Sequence, residues 1–128
     1  MAACILIADD DAVQRRLVEN MVQKCGYEAL VVDSGDAAIA ALTAADAPVI
    51  DAMVLDLVMP GLDGRALSRR VLSEKPATKV VFMSGYTEHA ALNNAALGPE
   101  DYFVQKPFSA RVLSDTLRRA MGHAVTMR

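Results

Sequence analysis

The sequence predicts an α/β fold: one doubly wound, five-stranded parallel sheet with strand order 2-1-3-4-5 and helices on both faces. Three observations carry it. Short apolar runs alternate five times with stretches of helical spacing, without a Pro/Gly/Ser linker or a repeat array. The runs are apolar on both sides of the chain, the mark of strands covered on both faces. Each run stops abruptly in polar or turn-forming residues: Asp9-Asp10-Asp11, Asp33-Ser34-Gly35, Asp56 shortly before Pro60-Gly61, Ser84-Gly85 and Lys106-Pro107. Among doubly wound arrangements, five strands suit the order 2-1-3-4-5. With 128 residues, 53% hydrophobic and 23% charged, the chain has the balance of one globular domain over 1–128 and not of a disordered segment.

Each element has its own signal. Cys4 to Ala8 is a first buried strand. Val13, Leu17, Met21 and Cys25 then recur at helical spacing, from an Asp-rich start to a stop at Gly26. Tyr27 to Val32 is the second strand, and Asp33, Ser34 and Gly35 supply turn and N-cap chemistry for a helix over Asp36 to Ala45. Asp46 to Pro48 breaks that helix, and Val49 to Leu57 contains the third strand. Leu67, Val71 and Leu72 give a third helix its buried face, ended by Lys75-Pro76. Lys79 to Met83 is the fourth strand. The fourth helix, Glu88 to Leu97, is mostly Ala with Asn93-Asn94 at its middle, each Asn costing roughly 0.6 kcal/mol against Ala, so loose packing is expected there. Tyr102 to Gln105 is the fifth strand. Ser109 caps a last helix whose face is Val112, Leu113, Leu117, Ala120 and Met121, and Gly122 to Arg128 is expected to fray.

Composition removes several function classes. A net charge of −3 argues against an autonomous nucleic-acid binder. No apolar run approaches the roughly 20 residues of a membrane span, and the start lacks a signal-peptide charge pattern. A cytoplasmic location is expected. Cys4 and Cys25 are too far apart for a CxxC pair and read as reduced, buried thiols.

In a parallel sheet all carboxyl ends lie on one edge, where ligands bind. That edge would receive Asp9 and Asp10 from strand one, Asp56 from strand three, Ser84 from strand four and Lys106 from strand five. Asp11 is set apart, as a cap for the first helix. At about 4 Å and an effective dielectric near 20, a like-charged pair costs roughly 4 kcal/mol, so either some acids hold protons or a cation sits among them. Oxygen ligands without nearby His or Cys suit a hard ion, and a shallow site that keeps several waters suits Mg²⁺. A divalent ion beside a carboxylate nucleophile, with Lys and a hydroxyl opposite, is a set of parts for phosphoryl transfer.

Ile5 to Asp11, Leu55 to Gly64, Phe82 to Tyr86 and Gln105 to Phe108 together resemble the four signatures of the response-regulator receiver domain, over nearly the whole chain. The order 2-1-3-4-5 is itself the known order of this family. The resemblance implies a flavodoxin-like receiver fold and a role in two-component or phosphorelay signalling. By position, Asp56 would accept a phosphoryl group from a histidine kinase or a histidine phosphotransfer protein. Asp9, Asp10 and Asp56, with the Val58 carbonyl, would bind Mg²⁺. Ser84 and Lys106 would hold phosphoryl oxygens, and Ser84 with Phe103 would form the switch. The Lys106-Pro107 peptide would be cis. A downstream protein would read the face formed by the fourth helix, fifth strand and last helix, with no direct nucleic-acid or membrane contact. The chain would be a phosphoacceptor with self-catalysed phosphorylation and dephosphorylation only, not an enzyme acting on other substrates.

Small departures matter. Ser84 stands where Thr is more frequent, and Phe103 where Tyr is. Val58 and Tyr86 stand at positions that in this family tune hydrolysis of the phosphoaspartate; an apolar Val58 gives an attacking water no polar partner, which implies a fairly long-lived phosphate, and Gly85 would leave the phosphoryl group open on its flank. A phosphatase of the haloacid dehalogenase type would want an acid two residues after Asp56, where Val58 stands. A flavin binder would want a phosphate cradle where Asp9-Asp10-Asp11 stand. His89 and His123 read as surface residues. No output domain is expected within 1–128, and a stand-alone receiver and a piece of a hybrid histidine kinase both remain open.

Overall fold

The computed structural model describes residues 3–56, 64–75, 78–84 and 102–122. Along the chain run β1 (Cys4–Ala8), α1 (Ala12–Lys24), β2 (Glu28–Val32), α2 (Gly35–Thr43), β3 (Ala52–Asp56), α3 (Gly64–Glu74), β4 (Lys79–Ser84), β5 (Tyr102–Gln105) and α4 (Ala110–Ala120). The strands form one sheet in the order β2-β1-β3-β4-β5, and every neighbouring pair is parallel. The expected architecture and order are therefore those of the protein. The helix expected over Glu88 to Leu97 lies outside the described residues, as does the tail beyond Gly122.

Strand alternation divides the core into two layers. Leu6, Ala8, Met53, Leu55 and Phe82 point to the side covered by Ile39 and Leu42 of α2 and Leu67 and Val71 of α3. Ile5, Ile7, Ala52, Val54, Val81 and Val104 point to the other, where Val18 and Val22 of α1 and Leu113 and Leu117 of α4 cover them. Helices on both faces explain why the strands read as unbroken apolar runs.

The helix ends are built from the residues the sequence marks. Asp11 Oδ1 accepts from the amides of Val13 and Gln14, at 2.9 and 3.2 Å, and caps α1 as expected. Ser34 and Ser109 cap α2 and α4 in the same way. Gly26 has φ +91° and closes α1 in a Schellman turn, with Tyr27 N–H donating to Val22 O and Gly26 N–H to Gln23 O. A Cβ at Gly26 would meet nothing within 4 Å, so Gly26→Ala carries only the left-handed backbone cost. A loss of about 1 kcal/mol is expected in a denaturant titration. A loss near zero would show that the turn relaxes out of its positive φ.

Three buried faces differ from expectation. In α1 the sheet-facing residues are Val18 and Val22, whereas Val13 is 79% exposed and Leu17 48%. A strict four-residue spacing precesses about 40° per step, so the series starts on the outer face and turns inward only at Met21 and Cys25. Leu72 and Val112 each lie one position off the buried stripes of α3 and α4 and are 42% and 47% exposed. In α4 the inward positions include Ser114 and Thr116; the Thr116 hydroxyl satisfies itself by donating to Val112 O at 2.8 Å. Val49 lies ahead of β3 and is exposed. Both cysteines are free but half-buried, not fully enclosed.

Candidate metal centre

The site follows from strand register. Ala8 of β1 is level with Leu55 of β3, so the next residue of each strand, Asp9 and Asp56, leaves the sheet at the same height. Asp9 continues the series Ile5, Ile7, and Asp56 the series Ala52, Val54, so both belong to the side covered by α1 and α4. The Asp9 amide still donates to Val32 O at 3.3 Å, which holds this residue to the sheet beyond the last residue of β1. One carboxylate oxygen each from Asp9, Asp10 and Asp56 can be chosen so that all three lie within 4.8 Å of one another. Asp9 and Asp56 are buried, and Asp10 is exposed.

Lys106 follows β5 and reaches across β4 to place Nζ 3.2 Å from Asp56 Oδ2. The Lys106-Pro107 peptide is cis. Ser84 ends β4 in register with Gln105, which puts its backbone at this same edge. Phe103 pairs with Phe82 in register and is half-buried against the α2/α3 core layer, on the opposite face from Val104. Val58, Gly85, Tyr86, His89 and His123 lie outside the described residues.

Crowding acids have an electrostatic consequence. Burial pushes the Asp9 carboxyl up to about 6; the Asp11 amide opposes this, the Asp56 charge reinforces it, the Lys106 charge opposes it, and the close approach of the Asp56 carboxyl, which favours a proton between the two, reinforces it again. Asp9 Oδ1 accepts from Asp11 N–H at 2.9 Å, whereas Oδ2 is buried with no hydrogen-bond partner among the described residues. An ionised oxygen buried without a partner costs more than the roughly 1–3 kcal/mol of a neutral one. A proton or a cation removes that cost. The donor set is oxygen only, anionic and open on the Asp10 side, which fits Mg²⁺.

Sequence reasoning did not single out Arg15. Its Nη1 donates to the Asp9 carbonyl oxygen at 2.8 Å, six residues back along the chain. The only sequence signal was a basic residue in the early turns of a helix that starts from three acids.

Comparison with known proteins gives the family and the fold. The family model described as response regulator receiver domain matches residues 5–118. The response regulator receiver protein CpdR of Brucella abortus is 33% identical over 118 residues, which are 91% of this chain and 95% of that protein. The sensor kinase CckA of the same organism is 33% identical over 120 residues, 94% of this chain but only 12% of the kinase. This chain thus spans a small part of the longer relatives it matches. Among solved structures, the receiver domain of NtrX from Brucella abortus superposes with a TM-score of 0.77 at 32% identity, covering 94% of this chain and 99% of that one.

Proposed function

The chain belongs to the response regulator receiver domain family, and we propose that within it Asp56 is the phosphoacceptor, charged by a histidine kinase or a histidine phosphotransfer protein. The observation that carries this reading is a buried strand-end carboxylate with two further acids on one side and the Lys106 ammonium at 3.2 Å on the other.

An Asp56 carboxylate oxygen attacks phosphorus in line with the donor bond. That bond breaks, its electron pair leaves with the donor, and an acyl phosphate forms on Asp56. Lys106 moves from Asp56 Oδ2 onto a phosphoryl oxygen, keeping its charge paired throughout. Ser84 donates a hydrogen bond to another phosphoryl oxygen. Asp9, Asp10 and Asp56, with the Val58 carbonyl, would hold Mg²⁺, which when bound supplies positive charge against the phosphoryl oxygens. The chain then acts as a switch: the partner-facing surface is the segment after β4 together with β5 and α4, with Ser84 and Phe103 linking it to Asp56. The match to a sensor kinase favours a second setting for the same site, as the receiver module of a hybrid histidine kinase. Among the described residues no helix is long and apolar enough to cross a membrane.

Acetyl phosphate tests the reading without a known kinase. With Mg²⁺ it should add one acid-stable, base-labile phosphoryl group, and with EDTA none; equal labelling in both would remove the metal from the scheme. Hydrogen exchange with and without beryllofluoride tests the switch. Residues Ser84 to Leu97 should change protection, while α1 and α2 change far less. A uniform change, or none in that span, would place the switch elsewhere.

A further inference from the structure

We infer that Arg15 is a positioning residue of the cation site, holding Asp9 so that one carboxylate oxygen is kept free for a divalent ion. The inference rests on the metal reading above and adds a residue to it.

Asp9 has four polar atoms, and three of them are tied. Its amide donates to Val32 O at 3.3 Å, its Oδ1 accepts from Asp11 N–H at 2.9 Å, and its carbonyl accepts from Arg15 Nη1 at 2.8 Å. The fourth, Oδ2, is buried and has no partner among the described residues. The first two ties are made to backbone amide or carbonyl groups, which no substitution short of a proline at position 11 removes. Arg15 is the one side chain in the set. It is half-buried, and its own amide donates to Asp11 O at 2.8 Å in the first turn of α1. A guanidinium hydrogen bond to a carbonyl is charge-assisted and directional, so it fixes the peptide plane between Asp9 and Asp10. That plane sets where the carboxylates on both sides of it point. Two of the three candidate ligands therefore depend on one contact from a helix that supplies no ligand itself.

The sign of the effect separates this role from others. Arg15 carries a positive charge, so if charge alone mattered, its removal would strengthen Mg²⁺ binding. If Arg15 only fastened α1 to β1, its removal would lower the melting temperature and leave the Mg²⁺ affinity alone. A positioning role predicts weaker Mg²⁺ binding in a protein that remains folded.

Mg²⁺ affinity is measured by isothermal titration calorimetry on the wild type, Arg15→Met and Arg15→Lys, with melting temperatures recorded in EDTA. Arg15→Met keeps the aliphatic packing and should weaken Mg²⁺ binding roughly tenfold, the usual cost of losing a group that orients a ligand. Arg15→Lys keeps the charge and a donor and should lose less. Should Arg15→Met fail to fold, Arg15→Ala takes its place, and an affinity equal to or tighter than wild type in that variant overturns the inference. The same result in Arg15→Met overturns it too, with the metal reading intact. A wild-type chain that takes up no Mg²⁺ overturns the metal reading and this inference with it.

Discussion

Asp56→Asn takes up no phosphoryl group from acetyl phosphate, a loss of at least about 1000-fold, or roughly 4 kcal/mol of barrier. The change is nearly isosteric, so it isolates chemistry from packing. An amide oxygen is a poor nucleophile, and the variant also loses the charge that holds Lys106 at 3.2 Å. The fold should tolerate the change, because removing the Asp56 charge also relieves the repulsion felt by Asp9. Intact-mass spectrometry after incubation with acetyl phosphate and Mg²⁺ reads the outcome, with circular dichroism showing that the variant is folded. Uptake at the wild-type rate would move the acceptor to another residue, and Asp10, exposed beside it, would be next in line.

In EDTA at pH 8, Asp9→Asn is more stable than the wild type, an uncommon result for a buried substitution. Asp9 is raised from 3.8 to about 6 in the folded chain, so its protonated form stabilises the fold below pH 3.8. That stabilisation is lost as pH rises through about 6. The loss is on the order of 2–3 kcal/mol, or roughly 5–10 °C in melting temperature. Asn is neutral at every pH. Its carbonyl can keep the Asp11 amide, and its amide group can donate to Asp56. The gap between variant and wild type should therefore be absent near pH 4 and full above pH 7. Mg²⁺ should raise the wild-type melting temperature, because it binds only the folded state, and should raise the variant's far less. Thermal melts over pH 4–8, with and without Mg²⁺, measure all of this. A variant no more stable than wild type in EDTA at pH 8 would mean that the ionised Asp9 carboxylate is not under strain.

The fold was legible because its signal is redundant: five apolar runs, each stopped by turn residues, leave few other topologies. The helix faces were less so. Val13, Leu17, Leu72 and Val112 are apolar and correctly spaced for a helix, yet they point outward; spacing gives a stripe, but only the neighbouring elements say which edge of it is covered. For the site, sequence placed Asp9, Asp10, Asp56 and Lys106 on one edge because parallel strands leave it no choice. It treated Asp9 and Asp10 alike, whereas the first is buried and the second exposed. Arg15 escaped because a contact from a helix to a carbonyl six residues earlier leaves no periodic trace.

The level pairing of Ala8 with Leu55 has a consequence for how this protein can change over generations. Connections that leave the sheet can lengthen, shorten or trade residues without moving Asp9 relative to Asp56, since neither is placed by a loop. A single residue gained or lost inside β1 or β3 would do the opposite, turning one carboxylate to the far face of the sheet and leaving most of the hydrophobic pattern to be rebuilt. Drift is therefore tolerated in the connections and forbidden in ten positions of backbone, Cys4–Ala8 and Ala52–Asp56.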